Sequence, residues 1–134
     1  MAEAFKFELV SPERLLVSED VEYVIIPGTE GEMTVMARHA PVMTTVKPGV
    51  VTVKAASGAE ARYVVFGGFA DILPEGCTLL AESAVGVKDI DRTDLARRIG
   101  EAREDVADAK DEIARTKAEQ YLAHLSTLES ALAA

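Results

Sequence analysis

The sequence predicts an α+β chain in which an N-terminal β-domain, residues 1–87, is followed by a helical tail, residues 88–134. All but one of the nine glycines and all five prolines lie before Val87, so the residues that form turns end there. Before that point, short runs rich in β-branched residues recur at a spacing of roughly 8–12 residues, which is typical of a sandwich or barrel. After it, apolar residues recur with a helical period.

The strand predictions begin at residues 5–9, where apolar and polar side chains alternate with a period of two, as in a half-buried strand. Residues 21–26 are β-branched and aromatic, and Pro27 with Gly28 ends that run. No helix-length segment separates the strands, which argues against a parallel βαβ sheet. The remaining strands are predicted at residues 33–36, 50–54, 61–66, 69–73 and 78–81. Residues 47–49 are placed before the strand at 50–54, and residues 67–68, two glycines, are interpreted as a break between two strands.

The tail is predicted to form two antiparallel helices, with the helical region beginning near Asp91 as a candidate N-cap. One apolar stripe follows alternating steps of four and three residues and comprises Leu95, Ile99, Ala102, Val106, Ala109 and Ile113. A second stripe comprises Ala118, Leu122, Leu125, Leu128 and Leu132. The phase slips between the stripes, which favours a helical hairpin turning near residues 107–111. Because several stripe residues are alanines, we expect the hairpin to pack lightly and to adopt more than one arrangement.

Composition excludes several classes of partner. The net charge of −9 and the sequence pI of about 4.7 argue against a nucleic-acid partner and against direct binding to anionic lipid. The single cysteine, Cys77, cannot form an internal disulfide. No apolar run reaches the roughly 18 residues expected of a membrane span. The N-terminal residues lack the features of a secretory signal or a transit peptide, so we expect a cytosolic chain.

No catalytic, cofactor-binding or metal-binding residue is predicted. His39, Cys77 and His124 are widely separated and lack the paired spacing of a metal site. No nucleophile elbow or Walker lysine is present, and a free cysteine is usually a small buried hydrophobe. Glu30 and Glu32 flank Gly31 in a hydrated turn, which suits docking better than acid–base catalysis. A small enzyme that uses Cys77 or His39 stays open as a rival hypothesis.

Several motifs, in order along essentially the whole chain, resemble the epsilon-subunit family of F-type ATP synthases. They are residues 9–13 (LVSPE), 21–22 (VE), 26–33 (IPGTEGEM), 39–43 (HAPVM), 47–49 (KPG) and 67–69 (GGF), followed by a β-stretch that ends at residues 81–82 (AE) and by the charged tail. The patterns G-x-E-G-E and H-A-P are the most specific of these. The alternative is a free-standing β-sandwich adaptor with a helical interaction tail.

The resemblance implies an antiparallel β-sandwich of about ten strands followed by an α-helical hairpin. It implies a non-catalytic subunit of the rotating central stalk, which couples proton-driven rotation of the c-ring to ATP synthesis. The β-domain would bind the gamma subunit and rest on the c-ring. In some members of the family the hairpin extends along gamma toward the alpha and beta subunits and hinders ATP hydrolysis. Such a complex places the chain peripherally at the cytoplasmic face of a bacterial inner membrane.

The resemblance also implies contact residues. The turn that would face the c-ring comprises Glu30, Gly31 and Glu32. The positions associated with gamma are Ser11, His39, Ala40 and Pro41. Most cations of the tail are expected to form a solvated face paired along the helices. The cations proposed for tail contacts with an acidic partner are Arg92, Arg97, Arg98, Arg103, Arg115 and Lys117.

One segment departs from the family pattern. Some bacterial epsilon subunits bind ATP through a motif resembling [IL]-D-x-x-R-A, whereas residues 90–95 here read IDRTDL. Asp94 therefore stands where the motif has arginine, and Leu95 stands where it has alanine. Because a carboxylate repels phosphate, we expect the isolated chain to bind ATP weakly or not at all.

Overall fold

The computed structural model describes residues 3–133, and the chain divides into two compact units. The first unit runs to Val87 and contains the strands, and the second starts at Lys88 and contains the helices. The strands are β1 (Phe5–Val10), β2 (Leu15–Gly28), β3 (Gly31–Met36), β4 (Val42–Ala55), β5 (Glu60–Leu73), β6 (Gly76–Ala81) and β7 (Ala84–Gly86). A short 3-10 turn (Val87–Asp89) precedes the helices α1 (Arg92–Asp108) and α2 (Glu112–Ala133).

The strands of the β-domain close into a ring. Their order is β1-β6-β5-β4-β2-β3, and β1 also pairs with β2, while β7 pairs with β5. Closure is possible because β2 is long enough to serve two neighbours: its first half pairs with β1 and its second half with β4, across two register shifts. A closed ring leaves few unpaired strand edges for unwanted association.

Alternation along the strands builds the core. In β1, Phe5, Phe7 and Leu9 are buried, as the period of two predicts. Burying a side chain of this size stabilises the fold by roughly 1.5–3 kcal/mol. The largest fully buried side chains of the β-domain are Phe7, Leu9, Val21, Val24, Ile26, Val35, Val51, Val53, Ile72 and Leu79.

The strand count and pairing differ from the prediction. Residues 3–133 contain seven strands, in place of about ten, and β1 pairs with β6 in parallel within a mainly antiparallel sheet. Two predicted strand boundaries are wrong, because Pro48 and Gly49 lie inside β4, and Gly67 and Gly68 lie inside β5. The last two adopt φ values of 111° and 144°, which only glycine tolerates readily, so β5 continues through them and keeps its register with β4.

The second unit is a helical hairpin, as predicted. The carboxylate of Asp91 caps α1 by accepting hydrogen bonds from the backbone N–H groups of Thr93 (2.8 Å) and Asp94 (3.3 Å). The two helices are antiparallel, since Arg92 at the start of α1 donates from Nη2 to the carbonyl oxygen of Leu132, 2.9 Å away near the end of α2. The buried residues of the hairpin are Leu95, Ile99, Ala102, Leu125 and Leu128.

Ile113 departs from the predicted stripe. The prediction placed it in the first apolar stripe with the residues of α1, but α1 ends at Asp108 and Ile113 lies in the first turn of α2. Its side chain is 73% exposed because the new helix changes the direction in which the residue points. The turn itself, residues 109–111, falls inside the predicted segment.

Candidate functional surfaces

The Glu30–Glu32 segment forms a tight turn between β2 and β3. Thr29 and Glu30 form the turn, and Gly31 begins β3 with a φ of 134°. A Cβ atom added to Gly28 would lie 2.8 Å from the carbonyl oxygen of Gly31, so the turn leaves no room for a side chain there. Glu30 and Glu32 are exposed, and their carboxylates are available to a basic or hydrogen-bond-donating partner.

Thr29 anchors this turn to β4. Its backbone N–H donates to the carbonyl oxygen of Thr45 at 3.1 Å. The two threonine hydroxyl oxygens also lie 2.7 Å apart and share a hydrogen bond. The anchor continues the ladder in which Gly28 lies opposite Val46, so the turn is held by β4 as well as by its own hairpin.

Ser11 lies in the turn between β1 and β2. Its backbone N–H donates to the carbonyl oxygen of Arg14 at 2.9 Å, and the N–H of Arg14 donates back to the carbonyl oxygen of Ser11 at 3.2 Å. The Ser11 side chain borders a shallow groove of about 300 Å³, lined by Val10, Ser11, Pro12, Leu80, Ala81 and Glu82.

His39, Ala40 and Pro41 lie in the loop between β3 and β4. The imidazole Nδ1 of His39 lies 2.7 Å from the carbonyl oxygen of Ala40. The preceding residue, Arg38, adopts a φ of 62°, pairs with Glu3, and donates its backbone N–H to the carbonyl oxygen of Pro74 at 2.9 Å. The loop is thereby attached to the turn between β5 and β6.

The structure does not bring Ser11 and the His39 loop together. In the parallel β1–β6 pair, Val10 lies opposite Leu80 and Lys6 lies opposite Gly76. Ser11 follows Val10 at one end of β6, whereas the His39 loop is attached at Pro74, just before the other end. The strand between them spans about 17 Å at roughly 3.3 Å per residue. The predicted gamma-contact residues therefore belong to two separate places on the β-domain.

A row of apolar side chains, of which Val10 is half-buried and the others are exposed, crosses the outer face of the sheet and was not predicted from the sequence. Leu15 lies opposite Val10, and Val10 lies opposite Leu80. Leu80 lies opposite Phe69, whose partner on the other side is Thr45. Met43 lies two residues before Thr45 on the same face of β4. Met43 is 70% exposed and Phe69 54% exposed. We call Leu15, Val10, Leu80, Phe69 and Met43 the outer apolar row. Contiguous exposed apolar surface of this kind marks an interaction site.

A signal for this row existed in the sequence. Leu79 and Leu80 are adjacent in a strand, and adjacent residues point to opposite faces, so one of them has to face outward. Leu79 is fully buried and Leu80 is 52% exposed. Alternation alone identifies two faces, but it does not show that outward apolar residues from five strands meet.

The cations of the tail are partly engaged within the hairpin. Arg97 lies 2.5 Å from Asp94 and 2.8 Å from Glu101, and the Nε of Arg98 lies 3.0 Å from Asp94. Hydrogen bonds from Arg97 and then Arg98 lower the pKa of the Asp94 carboxyl, so it stays ionised. Arg92 is bonded to Leu132, and the other three cations proposed for tail contacts, Arg103, Arg115 and Lys117, are exposed.

This arrangement gives a structural reason to expect weak or no ATP binding. Asp94 keeps a negative charge in the first turn of α1 and occupies two arginines that could otherwise meet phosphate. We expect calorimetric titration of the isolated chain with ATP to show no binding in the micromolar range. Asp94→Asn removes the charge at nearly constant size, and a gain of ATP affinity in that variant would support the electrostatic reason. Micromolar binding by the unsubstituted chain would contradict the prediction.

Cys77 is poorly placed for catalysis. Cys77 is 2% exposed, and burial together with the charge of Asp71 raises the pKa of its thiol to about 12, so the thiolate needed for attack is scarce. Neither a metal site nor a membrane-spanning helix is found in the described part of the chain. Across residues 3–133, no group of three or more His, Cys, Asp or Glu side chains is arranged to hold a metal ion. Within the same residues, neither helix is long and apolar enough to cross a membrane.

Comparison with known proteins places these features in a family. Residues 4–87 match the family described as ATP synthase, Delta/Epsilon chain, beta-sandwich domain. The chain is 80% identical to the ATP synthase epsilon chain of Mesorhizobium japonicum and 67% identical to that of a Chelativorans species, each over 98% of both chains.

Solved structures give the same fold. A chain in the mitochondrial ATP synthase of Euglena gracilis, in a structure of OSCP, F1 and the c-ring, matches with a TM-score of 0.75 and 30% identity over 96% of this chain and 81% of that one. A chain in the central stalk and c-ring structure of the Tetrahymena thermophila mitochondrial ATP synthase matches with a TM-score of 0.64 over 94% of this chain and 96% of that one. At 11% identity, the second likeness concerns the fold alone.

Proposed function

The chain belongs to the ATP synthase epsilon-chain family, and from that premise we propose that its β-domain connects the gamma subunit to the c-ring while its hairpin restrains ATP hydrolysis. It is a non-catalytic subunit of the central stalk, with gamma and the c-ring as partners, in a complex peripheral to a membrane. Its task in this proposal is to carry proton-driven rotation of the c-ring toward ATP synthesis. The bacterial relatives support a position at the cytoplasmic face of the inner membrane.

The observation that carries the proposal is the outer apolar row. A stalk subunit needs a surface that stays bound to its neighbour while torque passes, and desolvated apolar side chains at the centre of an interface supply most of its binding energy. Phe69 and Leu80 lie opposite each other near the middle of the row. We assign this row, together with Ser11 beside it, to the contact with gamma. The His39 loop would then meet a second part of gamma, since it lies near the other end of β6.

The Glu30–Glu32 turn is the proposed contact with the c-ring. It is exposed and acidic, and the hydrogen bonds between Thr29 and Thr45 attach it to β4. A short acidic turn of this kind presents charge-assisted hydrogen-bond acceptors without a large apolar area. Such a contact gives orientation and specificity, whereas the apolar row supplies adhesion.

A double charge reversal tests the turn. In Glu30→Lys with Glu32→Lys, we expect the chain to bind gamma as before but the assembled complex to pump fewer protons for each ATP hydrolysed, because like or unpaired charges would meet the c-ring. The measurement is ATP-driven proton pumping by membrane vesicles, together with their ATP hydrolysis. Glu19→Lys with Asp20→Lys makes the same change in charge on exposed residues of β2 and serves as the control. Equal pumping by the two variants would remove the turn from the c-ring contact.

Removal of the hairpin tests its regulatory role. The tail presents the exposed cations Arg103, Arg115 and Lys117, which suit acidic surfaces on the alpha and beta subunits. Deleting residues 89–134 leaves the unit that ends near Val87, so we expect association with gamma to persist and ATP hydrolysis by the complex to increase. Hydrolysis rates of complexes assembled with the full and the shortened chain decide this. An unchanged rate would mean that the hairpin is not the brake in this enzyme.

A further inference from the structure

The outer apolar row leads directly to the acidic turn. Phe69, in the middle of the row, lies opposite Thr45 across the β4–β5 ladder. Thr45 in turn accepts the backbone hydrogen bond of Thr29 and shares a hydrogen bond with its hydroxyl at 2.7 Å. Thr29 precedes Glu30. One residue, Thr45, therefore touches both the strand that carries Phe69 and the turn that carries Glu30.

We infer that Thr45 is a positioning residue, which holds the acidic turn at a fixed place relative to the outer apolar row. This inference rests on the proposed function, in which the row binds gamma and the turn meets the c-ring. A contact that transmits torque has to be stiff, because a turn that swings freely dissipates displacement before it reaches the neighbouring subunit.

The local chemistry makes the side-chain bond important for stiffness. The turn lies between Gly28 and Gly31, and glycines leave the backbone more freedom than other residues do. Thr29, Glu30 and Glu32 are exposed, so no buried side chain of these three residues anchors the turn in the core. The threonine pair supplies a second link from the turn to β4, beside the single backbone hydrogen bond of Thr29. Cross-strand threonine pairs are known to stabilise sheets in this way.

Thr45→Val tests the link because valine keeps the shape and lacks the hydroxyl. We expect the amide of Thr29 to exchange with solvent about fivefold faster, as loss of one ordinary hydrogen bond predicts. Core amides such as that of Val53 should exchange at an unchanged rate. Thr45→Ser retains a hydroxyl and should restore slow exchange. Thr52→Val makes the same substitution seven residues further along β4, away from the turn, and should leave Thr29 unaffected.

The functional measurement uses the assembled complex. We expect Thr45→Val to lower the number of protons pumped per ATP hydrolysed, with Thr45→Ser and Thr52→Val unchanged and with the affinity for gamma unchanged in all three. Unaltered exchange at Thr29 in Thr45→Val would overturn the inference, and so would altered exchange with full pumping. If Glu30→Lys with Glu32→Lys lowers pumping but Thr45→Val does not, only the role of Thr45 fails. If that charge reversal has no effect on pumping, the proposed c-ring contact fails, and the inference fails with it.

Discussion

Replacing Gly68 with alanine is expected to destabilise the β-domain by about 3 kcal/mol or more, which is large for a single methyl group. A Cβ atom at this position would lie 2.1 Å from the carbonyl oxygen of Leu80 and 2.9 Å from the Cα of Ala81. Both are backbone atoms of the neighbouring strand, so relief requires β5 and β6 to separate. The residue also has a φ of 144°, which adds backbone strain to the clash.

Gly58 provides the matched control for this prediction. It has a φ of 100°, but a Cβ atom added there would meet nothing within 4 Å. Gly58→Ala therefore carries the backbone strain without the clash, and we expect a loss of only about 1 kcal/mol. Denaturant unfolding of the two variants and of the unsubstituted chain gives both values. If Gly58→Ala and Gly68→Ala lower the free energy of unfolding by similar amounts, the close contact with Leu80 does not determine the loss of stability.

Replacing Phe69 with aspartate is expected to weaken binding to gamma by about a hundredfold or more while the chain stays folded. Phe69 lies in the middle of the outer apolar row and is 54% exposed, so the fold loses little when the ring is removed. In the proposed interface the ring becomes desolvated, and a carboxylate in its place would be buried without a partner. Titration of purified gamma with each chain measures the change in affinity.

Met36→Asp is the control for the interface prediction. Met36 is a large apolar residue, 50% exposed, at the end of β3 and outside the outer apolar row. Its carbonyl oxygen accepts a hydrogen bond from the backbone N–H of His39 at 3.3 Å, so Met36 borders the second proposed gamma contact. We expect its replacement to change the affinity for gamma by less than about tenfold, because the outer apolar row supplies most of the binding energy. Thermal unfolding of both variants ensures that any loss of binding is not a loss of folding. A larger effect for Met36→Asp than for Phe69→Asp would place the gamma contact on another face.

The elements that were predicted well are those in which short-range patterns decide the structure. The alternation of residues 5–9 marks β1, and the two stripes of the tail mark α1 and α2. Turn residues such as Gly31 also act locally, because a glycine adopts a positive φ without the steric cost that a side chain would add. For the same reason, the turn at Glu30 could be predicted from Gly28 and Gly31, which lie on either side of it.

The errors arise where neighbours distant in sequence intervene. Gly67 and Gly68 resemble a strand break, but hydrogen bonds to β4 and β6 on either side carry β5 through them. Ile113 continues the period of the first stripe, but the helix has already ended at Asp108. A local pattern cannot show that adjacent strands keep two glycines within a strand or that a new helix has begun.

The gamma-contact assignment shows the same division within the candidate site. Ser11 and His39 were inferred from motifs, and the motifs say nothing about the length of β6 that separates the two places. The outer apolar row is hidden for a related reason, since its members come from β1, β2, β4, β5 and β6. Each member resembles an isolated exposed apolar residue until strand register aligns it with the others.

Residue order and side-chain chemistry were sufficient to predict a two-unit chain, strands followed by helices, with an acidic turn at Glu30 and without a catalytic centre. They suffice because periodicity, turn conformation and charge are properties of short segments. The closure of the ring, the parallel β1–β6 pair and the contact of Thr29 with Thr45, sixteen residues away, required the folded structure. These features depend on which strands become neighbours and in what register, and the burial of one shared core sets both.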